Sequence, residues 1–143
     1  MTPTIAIAET DDAIQRCFPV IRELRPHLPP IAFVEKVRRQ HRDGGYQLAY
    51  LETDGLVRSV AGFRLLEGLK WGKYLYVDDL VTRETDRSHG HGRLLLEWLV
   101  ARARELGCDE FHLDSGTHRT RAHQFYRAQK LDLTCYHFAL KLR

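Results

Sequence analysis

The segment from Lys73 to Leu106 constrains the fold most, because it joins a strand, a glycine-containing loop and an apolar helix. KYLYVDDLVT (73–82) is rich in β-branched and aromatic residues, which favour strands. LLLEWLVARAREL (94–106) repeats apolar residues at helical spacing, and Gly107 follows it as a left-handed stop. A strand followed by such a helix predicts a sheet with helices packed against it.

Hydrophobic periodicity and turn residues predict the remaining elements. Upstream they are a strand at 4–9, a helix that Thr10-Asp11-Asp12 caps and that ends by the proline-rich segment 25–30, a second helix from about Ile31 that Asp43-Gly44-Gly45 stops, and a hairpin with strands at 46–53 and 56–66. Downstream they are a strand at 109–116, a helix at 119–129 and a final strand at 133–142. The order β-α-α-β-β-β-α-β-α-β predicts a mixed α/β (α+β) fold with a central mixed sheet and helices on its faces.

Length and composition limit the classes of protein that fit this order. A chain of 143 residues with 43% hydrophobic side chains is expected to form a single domain over 1–143. A net charge of +3 without clustered basic residues argues against a nucleic-acid partner. The N-terminus has no signal-peptide pattern and no apolar run reaches about 18 residues, so we expect a cytoplasmic protein with no membrane partner. Cys17, Cys108 and Cys135 are widely spaced, so we expect them to be reduced and mostly buried.

The loop RSHGHGR (87–93) contains two histidines that suggest a metal site. His89 and His91 would supply only two ligands, and a site needs a third and usually a fourth, such as His112 or Asp114. Nothing in the spacing of these residues requires such a group. The sequence therefore predicts no metal.

The glycines of the same loop suggest two other ligands. Gly90-His91-Gly92 begins a dinucleotide fingerprint, but Leu95 stands where its third glycine would be. Glycines ahead of a helix also expose successive backbone N–H groups to an anion, and the helix N-terminus adds partial positive charge. Arg87 and Arg93 flank the loop and could bind a pyrophosphate. On the loop alone, a solvated turn remains the simpler interpretation.

The pattern Arg87-x-x-Gly90-x-Gly92 between a strand and a long helix resembles the acetyl-CoA-binding motif of the GNAT superfamily of N-acetyltransferases. Val77–Thr82 is similar to the strand that precedes this motif, and Ala122–Tyr126 is similar to the helix after the next strand. Segments similar to those of small, single-domain bacterial members are Leu24–Leu28, Leu113–Gly116 and Tyr136–Phe138. The resemblance covers most of the chain. It implies the GNAT fold, in which a mostly antiparallel sheet splays apart to form a cofactor slot.

The resemblance also implies acetyl-CoA as the cofactor. Backbone amides of Ser88 to Arg93 would hold its pyrophosphate, and an amide near Leu80 or Val81 would face the carbonyl oxygen. The residues expected to contact the cofactor are Leu80, Val81, Thr82, Arg87, Ser88, His89, Gly90, His91, Gly92, Arg93, Arg119 and Tyr126. Two positions depart from the family: Arg119 stands where an asparagine is common, and Lys130 where a glycine usually ends the helix.

Two consecutive aspartates in the strand at 73–82 raise a question of geometry. Side chains alternate along a strand, so Asp78 and Asp79 cannot both be exposed unless the strand is an edge or bulges. The resemblance implies a bulge at this point. We therefore predict irregular strand pairing near Asp78 to Leu80.

Acetyl transfer to an amine requires a bound donor, an uncharged amine, a stabilised oxyanion and a proton for the departing thiolate. Tyr126, which the resemblance also favours, is the predicted proton donor, because phenol and thiol have similar reference pKa values of about 10 and about 8.5. The ammonium proton would be accepted by Asp78, Asp79 or Asp114, between which the sequence does not decide.

Aromatic and acidic side chains are expected to line the acceptor pocket, where they favour a small cationic amine. They are Tyr74, Tyr76, Asp78 and Asp114, and Arg25 would suit an acceptor that also has an anionic group. We therefore expect an acetyl-CoA-dependent N-acetyltransferase that acts on a primary amine of a small molecule by direct attack in a ternary complex. The alternatives are a non-catalytic acyl-CoA-binding or regulatory module and an enzyme that acetylates a protein amine. An apolar edge strand near the C-terminus would favour a homodimer.

Overall fold

Five strands form one sheet in the computed structural model, which describes residues 2–143. The strands are β1 (Thr4–Ile7), β2 (Gln47–Thr53), β3 (Leu56–Gly68), β4 (Gly72–Thr82) and β5 (Glu110–Leu113), and they lie side by side in that order. The α-helices are α1 (Asp11–Leu24), α2 (Phe33–Gly44), α3 (His91–Glu105) and α4 (Thr120–Ala128). A short 3₁₀ helix at Glu84–Asp86, absent from the predicted elements, begins the loop before α3. The first three strand pairs are antiparallel, which confirms the predicted mixed fold with a mostly antiparallel sheet.

Local signals place several element ends where the sequence predicts them. Thr10 caps α1, because its side-chain oxygen accepts a hydrogen bond from the amide of Ala13 at 3.1 Å. Asp54 and Gly55 have φ angles of +55° and +74°, the left-handed conformation that a tight turn between β2 and β3 requires. Gly107 follows α3 with a φ of +75°. These local signals set where the elements begin and end along the chain.

Helices cover both faces of the sheet. Leu48 and Tyr50 of β2 belong to a hydrophobic cluster with buried side chains of α1 and α2. The alternate residues Ala49 and Leu51 are equally buried but lie outside that cluster, and α3 packs against β2, β3 and β4. Because successive side chains of a strand point to opposite faces, α1 and α2 cover one face and α3 covers the other.

The chain divides into two compact units between His112 and Leu113. The first unit contains β1 to β4 and α1 to α3, and the second contains α4 and the C-terminal segment. Lys130 follows α4 with a φ of +70°, so it adopts the left-handed conformation for which the family usually has a glycine. This choice costs about 1 kcal/mol locally. The expectation of a single domain stays a prediction.

The predicted final strand at 133–142 is wrong for this structure. The segment has no regular secondary structure, and its apolar residues are exposed. They are Leu133, Tyr136, Phe138, Leu140 and Leu142. Alternating apolar residues show that a segment can form a strand, but a strand also requires a neighbour for its backbone hydrogen bonds.

The three cysteines lie in different environments, so the expectation that they are mostly buried is wrong for Cys135. Cys17 is fully buried in α1, Cys108 is half-buried and Cys135 is exposed, and all three are free thiols. Burial raises the pKa of the Cys17 thiol to about 12.

Thiol reactivity should follow this order. Only the thiolate reacts with a disulfide reagent, so we expect Cys135 to react first, Cys108 more slowly, and Cys17 only after unfolding. The measurement is the number of thiols titrated by an aromatic disulfide before and after denaturant is added. If Cys17 reacted in the folded protein as fast as Cys135, the result would contradict the burial of Cys17 in α1.

Candidate active site

A bulge in β4 brings the two consecutive aspartates together. Gly62 of β3 pairs with Asp79, whereas the next residue, Phe63, pairs with Val77, so Asp78 is the extra residue of β4. This confirms the predicted irregularity at Asp78 to Leu80. Both carboxylates line the same pocket, because a bulge re-aims the side chain that would otherwise point to the opposite face.

The pocket has a volume of about 400 Å³ and lies between α1, α2 and β4. Its apolar wall comes from α1 and α2. Its polar lining is Arg25, His27, Lys36, Gln40, Tyr46, Tyr76, Asp78 and Asp79. Three of the residues predicted for the acceptor pocket therefore line it, namely Arg25, Tyr76 and Asp78.

Asp79 is bound on both carboxylate oxygens. Arg25 Nε donates to Oδ1 at 3.0 Å, and the phenol of Tyr46 donates to Oδ2 at 2.7 Å. Burial of the phenol raises the pKa of Tyr46 well above its ordinary value, and the Asp79 carboxylate raises it further. Tyr46 therefore stays protonated and continues to donate.

Asp78 is bound on one oxygen only. Arg64 Nε donates to Oδ2 at 2.9 Å, whereas Oδ1 is buried and has no hydrogen-bond partner among residues 2–143. Burial raises the pKa of Asp78, and Arg64 opposes that shift. An aspartate that lines a pocket and has a raised pKa is a candidate proton acceptor.

Gly62 makes the contact between Tyr46 and Asp79 possible. A Cβ atom at this position would overlap the ring and hydroxyl of Tyr46, so the phenol can pack against β3 only where the strand has no side chain. A glycine inside a strand often marks such a close approach. This position was the one signal in the sequence that could have located Tyr46.

The glycine loop leads directly into α3. Gly90 has a φ of +82° and is the residue before the helix, which begins at His91, three residues earlier than predicted. No side chain caps this end of α3. The first amides of a helix have no acceptor within it, so the loop presents free N–H groups and the positive end of the helix dipole. This arrangement suits a pyrophosphate.

The side chains around the loop differ in how they are held. Arg93 forms an ion pair with Glu97 at 3.2 Å, whereas Arg87 makes only a long hydrogen bond of 3.5 Å to the carbonyl of Thr82. Nδ1 of His91 is buried without a partner in the described chain, and its ring lies 6.2 Å from that of His89. Within residues 2–143, no three His, Cys, Asp or Glu side chains are grouped as metal ligands would be.

The end of β4 carries the residues expected beside the pantetheine arm and carbonyl. Leu80 is half-buried opposite Ala61, and Val81 is buried opposite Val60. The hydroxyl of Ser59 donates to the Val81 carbonyl at 3.0 Å, and Thr82 lies beside it. β5 is only four residues long, whereas β4 has eleven residues. The amide of Asp109, just before β5, donates to the carbonyl of Lys73 at the start of β4. β5 can therefore pair with only part of β4.

The other two residues predicted for the acceptor pocket are held by contacts of their own. Tyr74 packs edge-on against Trp71 and His112, which stack on each other with ring centroids 3.7 Å apart. Asp114 belongs to the C-terminal unit and forms an ion pair with His137 at 3.1 Å. Tyr74 does not line the pocket, and the acceptor-site roles of Tyr74 and Asp114 stay predictions.

α4 carries the predicted proton donor. Tyr126 is half-buried on this helix, and burial raises the pKa of its phenol. Its hydroxyl makes no hydrogen bond to any residue from 2 to 143. Arg119 is the residue before α4 and its side chain makes no capping hydrogen bond, and its contact with the cofactor stays a prediction.

Three polar residues of the site were missing from the sequence prediction. Tyr46 lies in the segment that joins α2 to β2, Arg64 lies in β3 and Gln40 in α2, and they contact the bulge or each other. Arginine and glutamine on such elements are usually solvent-exposed, so their types alone gave no signal.

Comparisons with known proteins agree with this architecture. The model of the acetyltransferase (GNAT) family matches residues 7–130. A protein of Bacillus subtilis strain 168 named "uncharacterized N-acetyltransferase YhdJ" is 30% identical over 109 residues, which cover 76% of this chain and 77% of that one. The chain therefore belongs to the acetyltransferase (GNAT) family. It is an N-acetyltransferase.

Solved structures show the same fold at low sequence identity. An aminoglycoside N-acetyltransferase, AAC(6')-Iy in complex with CoA, has a TM-score of 0.83 at 14% identity. The match covers 100% of this chain and 97% of the chain of that enzyme. A ribosomal-protein-alanine N-acetyltransferase from Brucella melitensis biovar Abortus 2308 has a TM-score of 0.85 at 14% identity, with coverage of 99% and 100%. None of the helices described between residues 2 and 143 is both long and apolar enough to cross a membrane.

Proposed function

We propose that the protein transfers the acetyl group of acetyl-CoA to a primary amine of a small molecule, by direct attack in a ternary complex. One observation carries the proposal: the bulge of β4 brings Asp78 to the lining of a small polar pocket, on the strand that leads to the glycine loop. A pocket of about 400 Å³ fits a small acceptor. The Brucella relative's name refers to a protein amine, so acetylation of a protein N-terminus is the alternative that the experiment must separate.

The residues of the loop suit acetyl-CoA. The uncapped start of α3, with Gly90 in the left-handed conformation, would hold the pyrophosphate through the amides of 88–93, and Arg87 would add a charge-assisted bond. Leu80, Val81 and Thr82 would lie along the pantetheine arm. When bound, acetyl-CoA supplies the acetyl group as an activated thioester. His89 and His91 would contribute backbone amides rather than ring nitrogens.

The proposed reaction assigns one proton transfer to each of two side chains. Asp78 accepts a proton from the ammonium form of the acceptor and releases it to water. The neutral nitrogen forms the C–N bond while the C–S bond breaks, and the amide of Leu80 or Val81 stabilises charge on the carbonyl oxygen. Tyr126 donates its phenol proton to the sulfur, which keeps the electron pair of the broken bond. The second proton lost from nitrogen returns to Tyr126 through water.

The balance is one ammonium and one thioester converted to one amide, one thiol and one free proton. Asp79 is the weaker candidate for the base, because Arg25 and Tyr46 already occupy both of its oxygens. The raised pKa of Tyr126 keeps its phenol protonated at neutral pH, as a proton donor requires. Asp114, Tyr74 and Arg119 have no assigned step.

Thiol release from acetyl-CoA, measured across a panel of amines, tests the function. We expect release above the hydrolytic background with at least one small primary amine, and none with its N-acetylated form. Peptides that begin with alanine form the second arm of the panel. Turnover with those peptides alone would favour a protein amine as acceptor, and tight CoA binding without turnover on any amine would favour a non-catalytic acyl-CoA-binding module.

A further inference from the structure

Arg64 binds the side chain of Asp78 and is itself held by several contacts. Its Nε donates to Asp78 Oδ2, while its two terminal nitrogens bond to the carbonyl of Gly44 at 3.3 Å and to Gln40 Oε1 at 3.2 Å. The guanidinium also lies over the ring of Tyr46, 5.3 Å from its centroid. Arg64 is therefore held from three directions, and its planar group fixes the orientation of the carboxylate that it binds.

The backbone leaves room for this arrangement at two glycines. A Cβ at Gly44 would overlap the guanidinium of Arg64, just as one at Gly62 would overlap Tyr46. Neither glycine has a positive φ, so the conformation itself does not require glycine at these positions. They are needed because the side chains of Arg64 and Tyr46 pass close to the main chain.

The two aspartates are consequently held in different ways. Asp79 joins α1 to the sheet through Arg25 and Tyr46, and Arg25 Nη2 also donates to the main-chain carbonyl of Asp78 at 3.2 Å. These contacts fix the bulge itself. Arg64 then binds Oδ2 of Asp78, and the other oxygen, Oδ1, is buried without a hydrogen-bond partner among residues 2–143.

From this geometry we propose that Arg64 is a positioning residue for acetyl transfer: it holds the Asp78 carboxylate at the pocket, where that carboxylate takes the proton of the acceptor ammonium, while Asp79 serves only to fix the bulge. The inference rests on the proposed function, in which Asp78 takes the proton. It goes further by dividing the two carboxylates between two roles and by assigning a role to a residue outside the pocket lining.

The ionisable groups around Asp78 determine the sign of the expected pH effect. Arg64 and, more weakly, Arg25 favour the carboxylate, whereas burial and Asp79 disfavour it. The other ionisable groups of the pocket are His27, Lys36, Tyr46 and Tyr76. Removal of the Arg64 charge should therefore raise the pKa of Asp78. Because the base must be ionised to act, the acidic limb of the rate profile should move to higher pH.

The test compares Arg64→Gln, which removes the charge, with Arg64→Lys, which keeps the charge but not the planar group. We expect Arg64→Gln to move the acidic limb of kcat/KM for the amine upward by about one pH unit, with kcat about tenfold lower at neutral pH and KM for acetyl-CoA unchanged. We expect Arg64→Lys to leave the limb in place and to recover only part of kcat. If Arg64→Gln does not fold, a wild-type kcat in Arg64→Lys would still overturn the role.

Arg16→Gln is the matched control. Arg16 forms a half-buried ion pair with Glu52 and bonds to the carbonyl of Gly55, outside the pocket. A loss of this pair should affect stability without moving the limb. The same upward shift in Arg16→Gln would overturn the assignment, because it would be a general effect of removing an arginine.

A titration that needs no turnover separates this inference from the proposed function. Carbon-13 resonances of the Asp78 and Asp79 carboxyl groups are followed against pH in wild-type protein and Arg64→Gln. We expect Asp78 to titrate at higher pH in the variant, and addition of an accepted amine to wild type to shift the Asp78 resonance more than that of Asp79. An unmoved Asp78 titration in folded Arg64→Gln would overturn the positioning role, whereas a wild-type enzyme that acetylates no amine would contradict the proposed function.

Discussion

Tyr126→Phe should lower kcat by about 10²-fold to 10⁴-fold, the contribution typical of a positioned proton donor. The phenol is needed only when the C–S bond breaks, so KM for acetyl-CoA should change little. The substitution removes a hydroxyl that has no hydrogen-bond partner among residues 2–143, and the ring stays beside Phe125. Stability should therefore remain near that of the wild type, and a loss of kcat would report chemistry.

The pH profile and a second tyrosine control this experiment. In the wild type the rate should fall at high pH as Tyr126 ionises, and because burial raises the pKa of this phenol the fall should begin above the ordinary tyrosine range. That limb should be absent from Tyr126→Phe. Tyr136→Phe, at a residue of the same unit that is 82% exposed, should match the wild type. Equal kcat for Tyr126→Phe and wild type would remove Tyr126 from the mechanism.

The bulge shows what local sequence can predict. Two adjacent aspartates in a strand pattern conflict with side-chain alternation, and a bulge between β3 and β4 resolves the conflict at Asp78. The partners of the aspartates could not be predicted in the same way. Arg25 and Tyr46 lie 54 and 33 residues from Asp79, and Arg64 lies 14 residues from Asp78, so only the folded sheet brings them together.

The start of α3 and the C-terminal segment show two different limits. The prediction began the helix after Arg93, where the apolar pattern starts, but the helix begins at His91. Its first turn tolerates Gly92, although glycine lowers helix propensity, because the amides of that turn need no partner within the helix. At 133–142 the alternating pattern predicted a strand, but pairing with another strand is a long-range property that the pattern does not contain. The exposed apolar side chains there leave the homodimer as a prediction.

Gly90→Val should weaken CoA binding at least tenfold, as measured by isothermal titration calorimetry. Gly90 has a φ of +82°, which a β-branched residue adopts at a cost of about 1–3 kcal/mol. A Cβ at this position would come no nearer than 3.9 Å to Arg93 Nη2, so the protein itself has room for it. The side chain would instead stand among the amides proposed to hold the pyrophosphate, and charge-assisted bonds of about 1.5–3 kcal/mol each would be lost.

Backbone strain alone could also weaken binding, and Gly55→Val separates the two causes. Gly55 has a φ of +74° in the turn between β2 and β3, and a Cβ there meets nothing within 4 Å. Its replacement should lower the melting temperature about as much as Gly90→Val does, without changing CoA affinity. His91→Ala should also bind CoA normally, because the proposed contact is its main-chain amide and its Nδ1 has no partner in the described residues. Loss of CoA binding in folded His91→Ala would show that the imidazole of His91 holds the anion, and wild-type affinity in Gly90→Val would contradict the proposed backbone contacts.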